Sequence, residues 1–364
     1  MSLIFQIALT LIKGAGPVTA KRLLEVFGTA EAIFTAGFEK LVKAGIKANI
    51  AGQFCNIKVL EQAAVQLDYI QRHHIRILFY TEDDYPVRLK NCADAPVLLY
   101  YKGTANLNHS RIVSVVGTRK ATAHGLWLCQ QLIKALSPYD VLVVSGLAYG
   151  IDVAAHRQSL LQQIPTVGVL AHGLDCLYPV SHQDTAHKML ASGGLLSEFP
   201  ANTAPVKGNF PKRNRIIAGL ADVVVVVEAA LKGGALITAD IANSYDRDVY
   251  AFPGRTTDEY AQGCNFLIKT NRAGMLSQAK DLVYFMGWEA VNPVHHAAQL
   301  ILPVDLSEPE MKIIDILKAK PLRIDQLAVS AAIVQSKLAM YLLNLELKGV
   351  IISTPGMVYQ LIQE

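Results

Sequence analysis

Five short apolar runs rich in valine recur along the middle of the chain, and they limit the possible folds more than any other feature of the sequence. The runs are RIVSVV (111–116), VLVVS (141–145), TVGVLA (166–171), ADVVVVVE (221–228) and DVYAF (248–252). Continuous apolar runs of this length predict strands buried on both faces, and the amphipathic segments between them predict crossover helices. The sequence therefore predicts an α/β fold built on an extended Rossmann-type, doubly wound parallel sheet.

The pattern changes on either side of this region, which indicates three folded parts. Residues 1–75 contain Gly-bearing turns such as KGAGPVT and FGTA between short amphipathic stretches, and they predict a helical N-terminal domain. The sheet domain is assigned to residues 76–290 and a linker to residues 291–303. Residues 304–364 predict three helices followed by a two-stranded wing around Pro355–Gly356, which is the layout of a winged-helix domain.

Composition limits the kinds of partner. Of the 364 residues, 52% are hydrophobic and 18% are charged, so the chain can bury a large core. The formal net charge is only +4, and a polyanionic partner must therefore be met by a local basic patch. Five scattered cysteines without a CxxC pair predict reduced thiols in a cytoplasmic protein, rather than a disulfide framework or a zinc site.

The apolar start of the chain raises the question of targeting. The stretch SLIFQIALTLIKGAG resembles the apolar core of a signal peptide, but it lacks the basic segment and the cleavage site and continues into a helical pattern. No apolar run reaches the ~18–20 residues of a membrane span. We therefore expect a cytoplasmic location and no membrane span.

A dense basic cluster lies directly before the fourth valine-rich run. Four cations stand within nine positions and no acid interrupts them: Lys207, Lys212, Arg213 and Arg215. Pro211 fixes φ at a helix start, which predicts a helix whose first turn carries the last three cations. Cations are unfavourable at a helix N-terminus by themselves, whereas helix amides and guanidinium groups together suit a phosphate. Phe210 offers a stacking platform, worth ~1–3 kcal/mol per base in single-strand binders. The alternative is a solvated charge run.

Three Gly-bearing turns near the predicted strands are candidates for anion binding. Gly117–Thr118–Arg119 follows the first run and is predicted to open a helix, and Ser145–Gly146 follows the second, with Asp152 as the cap of the next helix. Gly233–Gly234 is predicted to open another helix and to cradle a phosphate. Each could instead be a plain turn. Neither GxGxxG nor GxxxxGK[ST] is present, so no nucleotide cofactor is expected.

Two titratable side chains near these turns have alternative roles. Glu228 could be a catalytic carboxylate, but we favour a role in bonding loop amides or pairing with an arginine. His156 could be a base, but a packed helix residue is favoured because no Ser or Cys nucleophile is evident beside it. The sequence contains no HExxH and no metal-ligand spacing, and no metal site is predicted.

The two ends of the chain carry weaker nucleic-acid signals. The stretch IKGAGPVTAKRLLEVFG (12–28) is similar to a helix-hairpin-helix, with Lys13, Lys21 and Arg22 nearby, and a purely packing role is the alternative. The predicted recognition helix of the C-terminal domain, from about Ser336, has few cations. A protein-contact or structural role is favoured there over sequence-specific DNA reading.

Taken together, these motifs closely resemble the DNA-processing protein A family, also called DprA or Smf. The resemblance covers nearly the whole chain and includes VVGTRKAT, SGLA–GID–AAH, GLDCLYPVSH, LLSEFPANTAP, FPKRNRIIAGL and GALITA. It implies a SAM-like helical domain, an extended Rossmann domain and a winged-helix tail. It also implies a protein that is not an enzyme, that binds and protects single-stranded DNA, dimerises through the Rossmann domain and loads RecA recombinase during natural transformation.

Carried over residue by residue, the family's basic pocket implies a set of DNA-binding positions. They are Gly117, Thr118, Arg119, Ser145, Gly146, Lys207, Asn209, Phe210, Lys212, Arg213, Asn214, Arg215, Gly233 and Gly234. Tyr149 stands where the family usually has Arg, so one positive group is absent and a second stacking ring could replace it. The family's Ser-Gly-Ser-Leu is replaced here by Gly233–Gly234–Ala235–Leu236, which lacks the two hydroxyls that could bond a phosphate. The alternative function is a Rossmann-type nucleoside monophosphate hydrolase using Glu228, although its Pro-Gly-Gly-x-Gly-Thr-x-x-Glu loop is lacking.

Overall fold

The computed structural model describes residues 3–290, 306–318, 321–348, 350–354 and 357–361. The predicted linker at 291–303 lies outside the described residues, as does the predicted wing tip, Pro355–Gly356. The chain divides into two units, Met1–Val291 and Asn292–Glu364, and each is described by itself.

Short helices occupy the beginning of the first unit, as the Gly-bearing turns predict. They are α1 (Leu3–Leu11), α2 (Pro17–Phe27), α3 (Ala30–Thr35), α4 (Phe38–Lys43), α5 (Ala48–Phe54) and α6 (Ile57–Arg72). Gly14 has φ 88° in the turn between α1 and α2, a conformation that glycine adopts at little cost. The helices are amphipathic, and their apolar faces meet in one cluster that includes Ile7, Leu23 and Ile33.

A nine-stranded sheet forms the centre of the first unit. Its strands are β1 (Arg76–Phe79), β2 (Leu98–Gly103), β3 (Ile112–Val116), β4 (Leu142–Ser145), β5 (Thr166–Leu170), β6 (Gly194–Ser197), β7 (Val223–Val226), β8 (Asp248–Ala251) and β9 (Gly274–Met275). The spatial order is β1-β2-β6-β5-β4-β3-β7-β8-β9. All five predicted runs are parallel strands, as predicted, and β6 and β9, which the sequence did not predict, extend the parallel part to seven strands. The sequence did not predict β1 and β2, which extend the sheet with antiparallel pairing.

These two additional strands join the N-terminal helices to the sheet. Phe79, Leu98 and Tyr100 are buried in the same cluster as Ile7 and Leu23 of the helices. Strand β2 in turn pairs with β6, with Tyr101 opposite Leu196. One apolar core therefore crosses the predicted domain boundary at residue 75.

Helices cover both faces of the sheet, because successive side chains of the central strands point to opposite faces and are apolar on each face. The helices are α7 (Val87–Lys90), α8 (Ala123–Leu136), α9 (Ile151–Leu161), α10 (Gln183–Ser192), α11 (Asn209–Leu220), α12 (Gly234–Ser244), α13 (Gln262–Lys269) and α14 (Asp281–Phe285). Val223 and Val225 pack with α8 and α9, whereas Val224 and Val226 pack with α11 and α12. The sheet order reverses at β3, which has β4 on one side and β7 on the other. Ligands of open α/β sheets collect at the carboxyl ends of the strands beside such a point.

The second unit has the winged-helix arrangement that the sequence predicts. It contains α15 (Glu308–Leu317), β10 (Leu322–Arg323), α16 (Ile324–Ala331), α17 (Gln335–Leu347), β11 (Ile351–Thr354) and β12 (Val358–Leu361). Ser307 and Glu310 form a capping box at the start of α15. Within the described part of the chain, no single helix is long and apolar enough to cross a membrane; α16 and most of α17 meet that criterion only as a pair bent by 106°.

Candidate functional site

A cavity of about 390 Å³ opens at the carboxyl edge of the sheet, where β3 and β7 end. Eight of the fourteen predicted DNA-binding residues line it: Gly117, Thr118, Arg119, Phe210, Arg213, Asn214, Gly233 and Gly234. Two further basic residues, Lys120 and Lys232, and two acidic ones, Asp152 and Glu259, also line the cavity. The switch point of the sheet therefore gathers basic residues from two loops and from α11.

The turn after β3 is held by contacts that the sequence did not reveal. The Thr118 N–H donates to the Glu228 carbonyl oxygen at 2.7 Å. Helix α8 begins only at Ala123, with Thr122 as its N-cap, so the prediction that this turn opens the helix is wrong by about one helical turn. A Cβ atom on Gly117 would lie 2.5 Å from the Ile151 side chain, so the close approach to α9 requires glycine.

Phe210 lies between two guanidinium groups. The Cζ atom of Arg119 is 5.1 Å from the centre of the ring and that of Arg213 is 5.9 Å from it. Both distances fall in the range of cation–π attraction. The ring is part-buried and also contacts Tyr178, edge to face, at 6.3 Å. The stacking surface predicted at Phe210 is thus engaged by the protein's own arginines.

Arg213 is a buried cation whose position is fixed from several sides. It is 4% exposed, and its Nη1 donates to the Val169 carbonyl oxygen at 2.8 Å. Burial lowers the pKa of Arg213 to about 10, while the charge of Asp152 opposes that shift, so the guanidinium stays charged at neutral pH. Burial also raises the pKa of Asp152, against the effect of Arg213. The helix cap is Gly150 and not Asp152, which lies inside the first turn of α9.

Lys212 and Arg215 face a different part of the molecule. Helix α11 begins at Asn209, two residues before Pro211, so Arg213 and Arg215 lie in its second turn and not in its first. At about 100° per residue, Arg215 points nearly opposite to Arg213. It binds the Glu198 carboxylate and the Asp94 carbonyl oxygen. The prediction that the first turn of this helix carries Lys212, Arg213 and Arg215 is therefore wrong for the two arginines.

Arg215 and Lys212 instead line a second cavity of about 430 Å³. Gly16 and Pro17, at the start of α2, also line this cavity. Burial raises the pKa of the Glu198 carboxyl there, although the charge of Arg215 acts against the shift. A role of Lys212 and Arg215 in DNA binding stays a prediction, and the structure separates them from Arg119.

Four predicted DNA-binding residues lie outside the 390 Å³ cavity lined by Arg119, which is called the Arg119 cavity below, and each is in a different environment. Ser145 is fully buried and its hydroxyl donates to the Val115 carbonyl oxygen at 2.6 Å, which ties β4 to β3. Gly146 lines an adjacent cleft. Asn209 is buried and donates to the Ala204 carbonyl oxygen at 3.4 Å. Lys207 is exposed just before α11.

The Gly233–Gly234 loop lies where the sequence predicts it. Gly233 is the N-cap of α12, and both glycines line the Arg119 cavity. A Cβ atom on Gly233 would meet nothing within 4 Å, so the backbone is open on that side. The Asn214 side chain donates to the Gly234 carbonyl oxygen at 3.3 Å and so joins α11 to this loop. Free helix amides at this point suit an anionic group.

Glu228 and His156 have the structural roles that the sequence favoured. The Glu228 carboxylate accepts a hydrogen bond from the Thr122 N–H at 2.9 Å and another from the Thr122 hydroxyl. His156 is fully buried, with Nδ1 2.6 Å from the Thr166 hydroxyl. Burial lowers the pKa of His156 to about 3, so it is neutral inside the folded protein.

The cations of the N-terminal hairpin are largely occupied by protein contacts. The Lys21 ammonium donates to the Cys92 carbonyl oxygen at 3.2 Å, and Arg22 donates to the Gly45 carbonyl oxygen at 3.2 Å. Burial lowers the pKa of Lys21. The packing alternative for this hairpin therefore has direct support.

Two exposed tyrosines beside the Arg119 cavity complete the site. Tyr149 and Tyr178 line the adjacent cleft together with Arg119, Phe210 and Arg213. The sequence marked Tyr149 as a departure from the family pattern whose ring could replace the missing arginine as a second stacking surface, and it gave no role to Tyr178. The signal that could have found Tyr178 is its place in GLDCLYPVSH, after the strand that neighbours β4. Across the residues with described positions, no group of three His, Cys, Asp or Glu side chains is arranged to hold a metal ion.

The fold and the site together define a class: an α/β protein with a basic, aromatic-lined cavity at the switch point of its sheet, carried on one chain with a winged-helix unit. Residues 76–287 match the family described as DNA recombination-mediator protein A, and residues 301–357 match the DprA winged helix domain. The chain belongs to this family, the DprA/Smf proteins.

Relatives and solved structures agree with this assignment. Protein Smf of Synechocystis sp. is 32% identical over 98% of this chain and 98% of its own length. DNA processing protein DprA of Streptococcus pneumoniae is 39% identical over 56% of this chain and 71% of its own. Its X-ray structure superposes with a TM-score of 0.63 at 30% identity, covering 79% of this chain and 98% of that one. A structure of the Helicobacter pylori protein, described for a unique single-stranded DNA binding mode, has a TM-score of 0.54 at 26% identity, covering 59% and 97%.

Proposed function

We propose that this protein binds single-stranded DNA without sequence preference, protects incoming strands and loads RecA recombinase onto them in natural transformation and recombination. The observation that carries the proposal is the cavity itself, where Arg119 and Arg213 lie against the ring of Phe210 and Lys232 lines the same cavity. Cations that neutralise phosphates, placed beside aromatic rings, are the usual combination in single-strand binders. The single-stranded DNA binding mode described for the Helicobacter pylori relative supports the same class of ligand.

The site favours an unpaired strand over a duplex. The rings of Phe210, Tyr178 and Tyr149 can meet only bases that are free of their partners, since bases in a duplex are stacked inside. The cations can neutralise phosphates of any sequence, so binding should be indifferent to sequence and strongly salt-dependent.

The first experiment is fluorescence anisotropy with a labelled ~30-nucleotide single strand and its duplex, over a salt series. We expect tight binding to the single strand, weak binding to the duplex and a steep fall of affinity with salt. Equal affinity for both forms, or no binding, would overturn the proposal.

The finer parts of the proposal need their own tests. We propose a cytoplasmic homodimer that assembles through the Rossmann region and acts without catalytic activity or cofactor. Light scattering measures the mass of the particle in solution. RecA loading is measured as faster filament formation on a single strand already covered by a single-strand binding protein. A monomer, or filament formation at an unchanged rate, would remove those parts and leave strand binding intact.

The alternative is a nucleoside monophosphate hydrolase with Glu228 as the active carboxylate. Against it, Glu228 already accepts hydrogen bonds from the Thr122 backbone and hydroxyl. Incubation with nucleoside monophosphates, followed by chromatography for released base, separates the two functions. Release at an enzyme-like rate that is lost in Glu228→Gln would establish the hydrolase.

A further inference from the structure

A groove of about 470 Å³ lies between α8 and α9, which pack in one apolar cluster against the same face of the sheet. The floor of the groove is aliphatic and consists of Ala121, Leu126, Val153 and Ala154. Leu126 is 44% exposed, and Leu161, the last residue of α9, is 74% exposed. Exposed apolar side chains grouped on neighbouring helices are typical of a surface that a partner covers.

Cations alone provide the charge of this groove. Arg119, Lys120 and Arg157 line it, and none of the described residues that line it is a carboxylate. Arg119 lies against Gly150 at the start of α9, and Arg157 lies seven residues further along the chain, about 10 Å away along the helix. The formal net charge of the whole chain is only +4, so this is a local concentration of positive charge. A ligand of the groove should therefore be anionic.

The surrounding fold holds both ends of the groove in place. At one end, Nε of Arg157 donates to the hydroxyl of Thr185 at 3.2 Å. At the other end, the Ile151 N–H donates to the Thr118 carbonyl oxygen at 3.2 Å, and a Cβ atom on Gly150 would lie 2.2 Å from that same oxygen. These contacts tie the turn that carries the other two cations to the start of α9. A surface that is already ordered loses little conformational entropy when a ligand binds.

The lining of the groove differs from that of the Arg119 cavity. The ring of Phe210 lines the cavity, whereas no aromatic ring is found among the described residues that line the groove. Single-strand binders combine cations with rings on which bases stack, whereas an aliphatic groove between two helices fits the apolar anchors of a peptide. Gln130 and Gln158 add side-chain amides, which can both donate to and accept from a peptide backbone. The groove therefore favours a peptide over a continuation of the strand.

We infer that the groove between α8 and α9 is a docking surface for an acidic peptide segment of a protein partner, one that carries aliphatic anchor residues. Its carboxylates pair with Arg157 and Lys120, and its anchors cover Leu126 and Val153. This partner surface goes beyond strand binding. Because the groove and the segment have opposite charges, their association is fast and weakens with salt.

Arg119 gives this surface a connection to the strand, because it lines both the groove and the Arg119 cavity. This consequence rests on the proposed strand binding. A carboxylate of the docked segment competes with a phosphate for the Arg119 guanidinium group. Peptide and strand therefore weaken each other's binding by the same factor, since the coupling between two sites is reciprocal. The groove thus places a partner where it can displace the strand.

The test is fluorescence anisotropy with a labelled ~12-residue peptide whose acidic residues flank a stripe of leucines at helical spacing. Arg157→Glu should bind this peptide roughly two- to thirtyfold more weakly, because an exposed ion pair is replaced by a repulsion of similar size. Lys58→Glu makes the same change of charge at an exposed position of α6 and serves as its control.

A second pair of variants tests the aliphatic floor. Leu126→Ser should weaken the peptide roughly three- to thirtyfold, by a factor that salt hardly changes, because it removes buried apolar contact and no charge. Val65→Ser removes an aliphatic side chain that is 64% exposed on α6, and it should bind the peptide as the unaltered protein does.

The same variants measured with oligo-dT separate a peptide surface from a strand surface. Arg157→Glu and Leu126→Ser should bind oligo-dT nearly as the unaltered protein does. If both lose as much affinity for oligo-dT as for the peptide, the groove continues the path of the strand and the inference is overturned. It is also overturned if the unaltered protein does not bind the peptide, or if neither variant changes the peptide affinity. If the unaltered protein fails to bind oligo-dT, the proposed function fails, while the peptide measurements still decide the role of the groove.

Discussion

Gly146 is the residue at which a single added methyl group should disturb the site most. A Cβ atom there would lie 1.9 Å from Nη1 and 2.5 Å from Cζ of Arg213, and 2.7 Å from Oδ2 of Asp152. Real Cβ contacts essentially never fall below 3.0 Å, so the guanidinium group must move. Arg213 cannot move freely, because it is buried and Nη1 donates to the Val169 carbonyl oxygen at 2.8 Å. We therefore predict that Gly146→Ala destabilises the protein.

The magnitude follows from the two contacts that are lost or strained. A hydrogen bond from a charged group contributes about 1.5–3 kcal/mol, and inserting a methyl group into a packed site costs about 1–3 kcal/mol. Together they predict a loss of about 2.5–6 kcal/mol in the free energy of unfolding. For a unit of this size, that corresponds to a fall in Tm of roughly 5–24 °C.

The assay is thermal and urea unfolding of Gly146→Ala beside Gly52→Ala as the matched control. Gly52 lies in α5, and a Cβ atom there would meet nothing within 4 Å, so alanine should stabilise that helix by roughly 0.5–1 kcal/mol. Opposite signs for the two glycines are the expected result. A Gly146→Ala protein as stable as the unaltered one would show that the packing of Arg213 over Gly146 is not as described.

Three further predictions concern charge, pH and the C-terminal unit. Arg119→Ala should weaken single-strand binding more than Lys212→Ala, since of these two residues Arg119 alone lines the cavity where β3 and β7 end. Fluorescence anisotropy of both variants measures the difference. A larger effect of Lys212→Ala would contradict the assignment of that cavity as the DNA-binding site. Burial lowers the pKa of His156 to about 3, so the unfolded chain binds a proton between about pH 6.5 and 3 that the folded protein does not bind. The free energy of unfolding should therefore fall on acidification by up to about 1.4 kcal/mol per pH unit, and urea titrations of His156→Gln should lack that part of the slope. Deleting residues 304–364 should leave single-strand affinity nearly unchanged, because α17 carries a single lysine, Lys337, in its first two turns; a large loss of affinity would assign DNA contacts to the tail.

The parallel core of the fold was readable from the sequence because its strands are apolar on both faces. The run ADVVVVVE, for example, contains β7, and a continuous apolar run of this length is typical of a buried strand. The strands β1 and β2 were not predicted, since RILF and LLYYKG are not valine-rich runs and their pairing partners are distant in sequence. Antiparallel pairing of β2 with β6 depends on contacts about 95 residues apart, which local pattern does not reveal.

The sequence predicted which residues lie at the site better than it predicted how they are arranged. The loops after β3 and β7 meet because parallel strands end at one edge, and the sequence shows which residues follow those strands. It does not show the start of α11, which lies two residues before Pro211 and places Arg213 and Arg215 in the second turn of the helix, not in the first. Nor does it show that Arg119 lies against Phe210, because that contact joins residues 91 positions apart.

The apolar core that joins α1–α6 to β1 and β2 has a consequence for how the chain behaves when it is cut. Phe79, Leu98 and Tyr100 are buried against the N-terminal helices, so removing residues 1–75 would leave a wide apolar surface on the edge of the sheet. A protease nick between Arg72 and Arg76 should instead yield two fragments that stay together as one particle. Cutting the chain after the N-terminal helices therefore should not separate them from the sheet. Insertions or fusions at that junction should be tolerated, whereas deletion of the helices should not.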